Sequence, residues 1–233
     1  MELDAILQDI DPITYPKIFF TCIYNKLSKR LIKDFKYRKP YYKDFWSKEL
    51  FSYIVENLSL MLCETAINPV EASRYSPPLG LNLYFTAVPL HPQRLKSRTY
   101  NQAALVAEAT TKHLQELVES KTLVSYYQAA SGFGLYKINR VKYLDELFIR
   151  TKATENLYSK GKYERLEILQ GVFSVNPNFN FKRIENKDEN VLIVLDDICT
   201  TGATFLELFK EIHKAKLKFD EIIFLACAGR NFD

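Results

Sequence analysis

Residues 190–209, with the sequence NVLIVLDDICTTGATFLELF, constrain the fold more than any other part of this chain. The segment begins with an almost unbroken apolar run, which is typical of a strand buried on both faces of a parallel sheet. After two acids and a short loop, residues 205–212 have the apolar spacing of a helix, and residues 220–228 predict a further strand. Strand, loop, helix and strand make a βαβ unit, so the sequence predicts an α/β fold with a mostly parallel sheet flanked by helices.

The first 80 residues are expected to form a helical accessory region ahead of an α/β domain at residues 81–233. Apolar residues at intervals of three or four predict an amphipathic helix over residues 16–37, and a broad apolar stripe predicts a second helix over residues 42–64. Residues 68–80 are rich in Pro, Ser and Gly and are expected to form a loop. The apolar face of the first predicted helix consists of Phe20, Ile23, Leu27 and Leu31.

Shorter elements are predicted between that loop and the βαβ unit. The first three are a strand over residues 81–90, a polar and basic loop over 91–102 and a helix over 103–118. Short strands follow over 146–150 and 171–175, and a charged loop that runs into a helical turn connects them.

The acids and the loop after the apolar run have the chemistry of a sugar-phosphate site. In parallel sheets, ligands bind at the carboxyl ends of the strands, where Asp196 and Asp197 are expected. The following loop, residues 198–204, opens a helix whose first N–H groups and dipole attract a phosphate, and Gly202 lets the backbone approach it. Carboxylates repel phosphate, so they must serve another part of the ligand, and the vicinal hydroxyls of a ribose fit. Neither GxxxxGK[ST] nor GxGxxG is present.

The same segment resembles the phosphoribosyl pyrophosphate (PRPP) loop of type I phosphoribosyltransferases, in which an apolar strand runs into two acids and a T-T/S-G-x-T loop. A second stretch, VPLHPQRLKSRTYNQAALVAEA at residues 88–109, is similar to the V-P-L-H-x-x-R-L-x-x-R-G-x-N-Q segment of the competence-protein ComF family. Weaker similarities are FKYRK at residues 35–39 and the stretch at residues 149–173.

This resemblance implies a type I phosphoribosyltransferase-like fold and a PRPP ligand, with Mg²⁺ bound through the ligand rather than by protein side chains. It implies transfer of the phosphoribosyl group to an acceptor that the sequence does not name, with release of pyrophosphate. Asp196 and Asp197 would orient the ribose, and Arg94 and Arg98 would neutralise the diphosphate. The residues expected to bind PRPP are Asp196, Asp197, Ile198, Cys199, Thr200, Thr201, Gly202, Ala203, Thr204 and Lys96.

A charged segment at residues 150–165 has two interpretations. It closes over the ligand and brings Arg150, Lys152 and Arg165 to it, or it is a solvated loop. Asn101 and Gln102 either hold the ligand loop or cap the next helix. His91 is interpreted as part of the loop rather than as a base.

Several positions depart from the ComF pattern. The family's cysteine-rich zinc module is absent, because Cys22 and Cys63 stand alone, and the usual R-G pair is Arg98-Thr99. Residues 119–145 resemble an insertion. Cys199 is either a reactive thiol at a helix N-terminus or, as the favoured interpretation, a small side chain behind the loop.

A second function class remains open, namely a non-catalytic protein that senses PRPP or a nucleotide, or that binds single-stranded DNA in competence. The net charge of +4 is compatible with phosphate ligands without requiring nucleic acid. Lacking a signal peptide and a membrane-spanning apolar run, the chain is expected in the cytoplasm, with a homodimer as one option for its assembly. A stripe of basic residues is either a solvated helix face or a nucleic-acid surface; its members are Lys26, Lys29, Arg30 and Lys33.

Overall fold

A computed structural model describes residues 17–37, 39–62, 79–120, 127–128, 135–155, 157, 160–184 and 188–230. The strands are β1 (Lys17–Ile23), β2 (Leu79–Ala87), β3 (Tyr127–Gln128), β4 (Leu135–Tyr143), β5 (Phe148–Arg150), β6 (Phe173–Val175), β7 (Glu189–Cys199) and β8 (Glu221–Gly229). The helices are α1 (Lys26–Tyr37), α2 (Tyr42–Leu62), α3 (Pro92–Arg98), α4 (Gln102–Glu119), α5 (Lys162–Leu169) and α6 (Ala203–Lys214), with a 3₁₀ turn at Phe181–Arg183.

The central sheet has the strand order β1-β8-β7-β2-β4-β3, and all of its neighbouring strands run parallel except the pair β3 and β4. A separate small sheet pairs β5 with β6 in antiparallel fashion. The predicted α/β fold, with a mostly parallel sheet flanked by helices, is confirmed. The arrangement is consistent with the sheet of type I phosphoribosyltransferases.

β7 lies in the middle of the sheet and is buried on both faces, as its apolar run predicts. Because successive side chains of a strand point to opposite faces, Val191, Ile193 and Leu195 join the core beneath α1, α2 and α4. Leu192 and Val194 join a second core beneath α5 and α6. The strand therefore anchors two layers of helices at once.

The helix predicted over residues 16–37 is wrong in its first part. Residues 17–23 form β1, which pairs in parallel with β8 at the edge of the sheet. The helix begins only after Asn25, whose side chain accepts hydrogen bonds from the N–H groups of Leu27 and Ser28. The predicted apolar face is also wrong, since Ile23 is 62% and Leu27 is 66% exposed.

Instead, α1 buries Ser28, Ile32 and Phe35. The second predicted helix is confirmed as α2, which packs against α4, and residues 63 and 64 lie outside the described residues. The loop predicted over residues 68–80 also lies outside them, apart from Leu79 and Gly80 at the start of β2. The described part of residues 1–80 thus contributes an edge strand and two helices to the same core as residues 81–233.

Within residues 119–145, the stretch that resembles an insertion, residues 135–143 form β4 beside β2. The strand was missed because its apolar residues do not alternate regularly. An irregularity in the pairing lets Leu81 face Ile138 while Asn82 faces Arg140, so the buried Ile138 and Val141 are three residues apart.

The crevice at the carboxyl edge follows from the strand order. The connection from β2 through α4 leads to β4, and the connection from β7 through α6 leads to β8 on the opposite side. Two neighbouring strands whose connections diverge in this way leave a crevice beyond their carboxyl ends, where α/β proteins bind ligands.

β7 is also longer than β2 at this edge. Pairing with β2 ends at Ala87 and Leu195, whereas pairing with β8 continues to Cys199 and Gly229. Residues 196–199 therefore extend past the end of β2. The loop predicted over residues 198–204 is correspondingly shorter, because Ile198 and Cys199 belong to β7, Ala203 and Thr204 belong to α6, and only residues 200–202 connect them.

The predicted loop at residues 91–102 contains the short helix α3, which His91 caps by accepting a hydrogen bond from the N–H of Gln93 at 3.3 Å. At its other end, Thr99 has a φ of 67°, in the left-handed region. Glycine favours this conformation at the end of a helix, whereas the β-branched side chain of Thr99 disfavours it.

We expect Thr99→Gly to stabilise the protein by about 1 kcal/mol, because glycine adopts a positive φ without the steric cost that a β-branched residue has. In a domain of this size, that corresponds to a rise of roughly 2–4 °C in Tm, measurable by differential scanning calorimetry. Thr99→Ala is the matched control, since it removes the side chain and keeps a Cβ. A gain from alanine as large as that from glycine would show that the backbone conformation is not the cause.

Candidate sugar-phosphate site

A cavity of about 590 Å³ occupies the crevice at the carboxyl ends of β2 and β7. It is strongly cationic, because two carboxylates, those of Asp196 and Asp197, face eight positively charged side chains among the described residues that line it. Such an imbalance favours a ligand with several negative charges. The eight cations are Lys36, Arg94, Arg98, Arg150, Lys160, Lys162, Arg165 and Arg230.

The phosphate cup predicted from the sequence forms one wall of this cavity. Gly202 caps α6 with a φ of 71°, a conformation that a residue with a side chain adopts only at a steric cost. The turn directs the N-terminus of α6 at the cavity, which all residues from Thr200 to Thr204 line. From α5, the Nη1 of Arg165 donates to the Thr200 hydroxyl at 2.5 Å. A phosphate here would meet backbone N–H groups, hydroxyls and a guanidinium.

The two acids of β7 have different partners. Asp197 forms an ion pair with Lys36 of α1 at 2.7 Å, and both side chains are largely buried. Asp196 accepts a hydrogen bond from the N–H of Asp197 at 2.7 Å. Burial and the neighbouring Asp197 charge raise the pKa of Asp196 well above its ordinary range, although Lys36, that N–H and Arg150 oppose the shift. The cavity therefore holds one carboxylate with its own counter-ion and one that is costly to ionise.

Three arginines meet on the β2 side of the cavity, two from α3 and one from the end of β5, and we call Arg94, Arg98 and Arg150 the arginine triad. Burial and the neighbouring cations lower the pKa of Arg150 to about 10, and burial together with Arg98 lowers the pKa of Arg94. Among the described residues, the buried Nε of Arg150 has no hydrogen-bond partner. Crowded guanidinium groups and an orphaned donor are a pattern that a bound polyanion would relieve.

Two members of the triad are tied to the segment that precedes α5. The Nη2 of Arg94 donates to the backbone oxygens of Thr154 and Glu155 at 2.9 and 3.0 Å, and the Nη2 of Arg150 donates to the Thr154 hydroxyl at 2.6 Å. Arg98 instead donates to Gln102 and to the Tyr37 hydroxyl, each at 3.3 Å. Thr154 and Glu155 thus lie against the triad.

Of the residues singled out in the sequence, Asp196 to Thr204, Arg94, Arg98, Arg150 and Arg165 line one cavity. Lys96, Lys152 and His91 are not among its lining residues. Asn101 also lines it, but caps α4 by accepting from the N–H of Ala103 at 3.1 Å. The basic stripe on α1 is exposed and lies outside the cavity lining.

Among the polar residues that line the cavity, sequence reasoning missed five: Tyr24, Lys36, Lys160, Lys162 and Arg230. Lys36 lies within FKYRK, a segment that has only a weak similarity to a known pattern. Tyr24 and Arg230 follow directly on β1 and β8, and their position next to β7 depends on the sheet order. Only the recognition of β1 as a strand would have suggested Tyr24.

Cys199 matches the favoured interpretation, a small side chain behind the loop. It is buried, and this burial with the charge of Asp196 raises the pKa of its thiol to about 12, despite a hydrogen bond from the Gly202 backbone. A thiol of this kind is not a reactive thiolate at neutral pH. Cys63 lies outside the described residues.

The Mg²⁺ expected from the resemblance would find few protein ligands. In the described part of the chain, no group of three or more His, Cys, Asp or Glu side chains is arranged to hold a metal, and Asp197 already pairs with Lys36. Since Mg²⁺ takes six oxygens, these residues fit an ion held mainly by a ligand's phosphate and sugar oxygens, with Asp196 as the available carboxylate.

Comparisons with known proteins leave the family open. No protein-family model matches the chain, and no curated protein matches it significantly. Within the described residues, no helix has the length and apolar character needed to cross a membrane.

The raised pKa of Asp196 predicts a particular pH dependence of stability. Between the ordinary carboxyl pKa near 4 and the raised value, the folded protein keeps a proton that the unfolded chain has lost, so unfolding releases a proton. Stability should therefore fall as the pH rises through this range. Asp196→Asn should remove that fall and raise the free energy of unfolding at pH 8 on the order of 2 kcal/mol.

Urea denaturation at pH 4 and pH 8 measures this effect, with Asp34→Asn on α1, outside the cavity lining, as the matched control. Equal stabilisation by Asp196→Asn at both pH values would show that ionisation of Asp196 is not the cause.

Proposed function

We propose that the chain binds PRPP and transfers its phosphoribosyl group to an acceptor, releasing pyrophosphate. One observation carries this proposal: a phosphate cup, a carboxylate pair and the arginine triad line a single cavity at the carboxyl edge of the sheet. PRPP has a matching group for each of them, a 5-phosphate, a ribose with two neighbouring hydroxyls and a diphosphate on the anomeric carbon.

The 5-phosphate would lie in the cup at residues 200–204, where the dipole of α6, threonine hydroxyls and Arg165 favour an anion. The ribose would lie against Asp196 and Asp197, whose oxygens accept hydrogen bonds from its hydroxyls. The diphosphate would reach the arginine triad, where guanidinium groups bind its oxygens in pairs. Its negative charge would also offset the mutual repulsion of these cations.

The reaction needs little covalent chemistry from the protein. The bond between the anomeric carbon and the diphosphate oxygen breaks, and its electron pair leaves with the diphosphate. A lone pair of the acceptor forms the new bond to that carbon, and the acceptor's proton passes to solvent. Mg²⁺, when bound to the ligand, would add neutralisation of the leaving group. The residues contribute positioning and charge, with Arg94, Arg98 and Arg150 stabilising the diphosphate and Asp196 facing the ribose cation.

The predicted alternative, a sensor that binds PRPP or a nucleotide without turnover, uses the same contacts. The two functions differ in one product. Release of pyrophosphate from PRPP, assayed against a panel of bases, amines and nucleic acid, is expected for a transferase. Saturable PRPP binding with no pyrophosphate above the uncatalysed rate for any acceptor would favour the sensor.

PRPP with Mg²⁺ should raise the Tm, and Asp196→Ala combined with Asp197→Ala should abolish that rise. Loss of both carboxylates removes the ribose contacts and leaves Lys36 without its partner. Differential scanning fluorimetry gives the shift for each variant relative to its own unliganded Tm. The isosteric pair Asp196→Asn and Asp197→Asn tests the same contacts if the alanine variant does not fold.

The matched control removes two carboxylates from the exposed end of α4, Glu116→Ala with Glu119→Ala, and should keep the full rise. An unchanged shift in the Asp196 and Asp197 variants would rule out the ribose assignment. Absence of a shift in the wild-type protein would refute PRPP binding.

A nucleic-acid ligand is a second candidate, supported by the exposure of every member of the basic stripe on α1, the helix that also supplies Lys36 to the cavity. If the stripe binds single-stranded DNA, the affinity for an oligothymidylate should fall steeply with salt. Fluorescence anisotropy measures it. Charge reversal at all four positions should abolish binding, while reversal at four other exposed lysines should have a smaller effect. The control lysines are Lys43, Lys48, Lys137 and Lys218.

A salt-independent signal, or one that survives reversal of the stripe, would leave the stripe as a solvated helix face.

A further inference from the structure

One part of the cavity wall has no role in holding PRPP in the arrangement above. It is formed by Tyr24, Lys36 and Arg230, and we call it the third wing because the phosphate cup and the arginine triad form two other parts of the wall. Tyr24 follows β1, and its N–H donates to the Gly229 oxygen at 2.6 Å. Arg230 follows β8, and its N–H donates to the Cys199 oxygen at 3.1 Å. The third wing therefore adjoins the end of β7 on the β8 side, whereas the arginine triad lies on the β2 side.

The two cations of the third wing differ in whether a carboxylate already binds them. Lys36 is paired with Asp197. The guanidinium of Arg230 lies over the ring of Tyr24, with Cζ 5.5 Å from the ring centroid. No carboxylate of the described residues forms an ion pair with Arg230, which is exposed at the cavity wall. Its fork of N–H donors therefore remains available to an anion.

The wing thus combines the face of an aromatic ring with a neighbouring guanidinium whose N–H donors meet no carboxylate of the described residues. This pair suits a planar group that carries a carboxylate: the carboxylate meets the fork of donors in bidentate fashion, and the ring, held in the plane of the guanidinium, stacks on Tyr24. A neutral planar group would gain the stacking contact alone. The chemistry of the wing thus selects for both planarity and negative charge.

We propose that the third wing binds the acceptor, and that the acceptor is a planar ring bearing a carboxylate or a similar anion. The proposal rests on the function proposed above, which assigns the rest of the cavity to PRPP. It also fits the direction of the reaction. The diphosphate leaves toward the triad on the β2 side while a ring nitrogen forms its bond to the anomeric carbon from the β8 side and gives its proton to solvent. Nucleophile and leaving group thus lie on opposite sides of the ribose.

Benzoate and benzamide are matched probes for this subsite, because they share a ring and differ in charge. Their binding is measured by ligand-observed NMR, with saturating inorganic pyrophosphate present to occupy the triad. Benzoate should bind about tenfold more tightly than benzamide, the difference expected for one charge-assisted pair. Equal binding of the two probes would overturn the proposal.

Substitutions show which residue causes the preference for benzoate over benzamide. Arg230→Gln should reduce the benzoate preference to near unity, and Tyr24→Leu should weaken both probes alike by removing the stacking surface. Lys218→Gln, which removes one exposed positive charge outside the cavity lining, should keep the preference. A preference that survives Arg230→Gln would place the benzoate elsewhere and contradict the proposal.

The two proposals fail in different ways. Arg230→Gln should keep the full rise in Tm with PRPP and Mg²⁺, because Arg230 lies outside the phosphate and diphosphate contacts. Loss of that rise in this variant would contradict a separate acceptor subsite. A wild-type protein that prefers benzoate through Arg230 but shows no rise with PRPP would refute the phosphoribosyl function and leave an anion site at the third wing.

Discussion

The extension of β7 past the end of β2 is the constraint on which the rest of the site depends. β7 continues alongside β8 as far as Cys199 after β2 has ended, so Asp196 and Asp197 project at a point where one side of the strand is open. The β2 side then admits the arginine triad, and the β8 side admits Tyr24 and Arg230. If β2 ended level with β7, its ladder would cover the edge that now forms the wall of the cavity.

The charged side chains then determine which ligand the cavity favours. Asp197 is compensated by Lys36, while Asp196 is held in surroundings that oppose its ionisation, and the triad gathers guanidinium groups that repel one another. The unfavourable surroundings of Asp196 and the crowding of the triad each lower the stability of the protein when no ligand is bound. They are the kind of local cost that proteins carry at functional sites, where the ligand supplies the missing partners. A polyanion with hydroxyl groups at its centre satisfies both the cations and the carboxylates.

The parts of the fold that could be predicted are those whose signals are local. Residues 190–228 contain an apolar strand, a capped helix and another apolar strand in direct succession, so β7, α6 and β8 follow from the sequence alone. β1 was missed because the spacing of Phe20 and Ile23 fits a helix as well as a strand, and their pairing with β8 joins residues about 200 positions apart. β4 was missed because the irregular pairing beside Leu81 breaks its alternation.

The residues of the candidate site also divide into those with a local sequence signal and those without one. The cup and the acids are one continuous segment, and the arginines after β2 belong to a second recognisable segment. Lys36, Tyr24 and Arg230 reach the cavity from α1, β1 and β8, and their approach depends on the strand order rather than on any motif. A residue such as Lys36, in a helix that reads as an ordinary basic surface, can be assigned only when its ion-pair partner is known.

The central claim is that one cavity holds a phosphoribosyl diphosphate across the end of β7, and a crystal structure of the protein with PRPP and Mg²⁺ tests it most directly. The account predicts the 5-phosphate within hydrogen-bonding distance of the backbone at residues 200–204, the ribose hydroxyls at Asp196 and Asp197, and the diphosphate at Arg94, Arg98 and Arg150. A ligand bound in the reverse direction, with its diphosphate in the loop at residues 200–204, or bound away from this cavity, would contradict it.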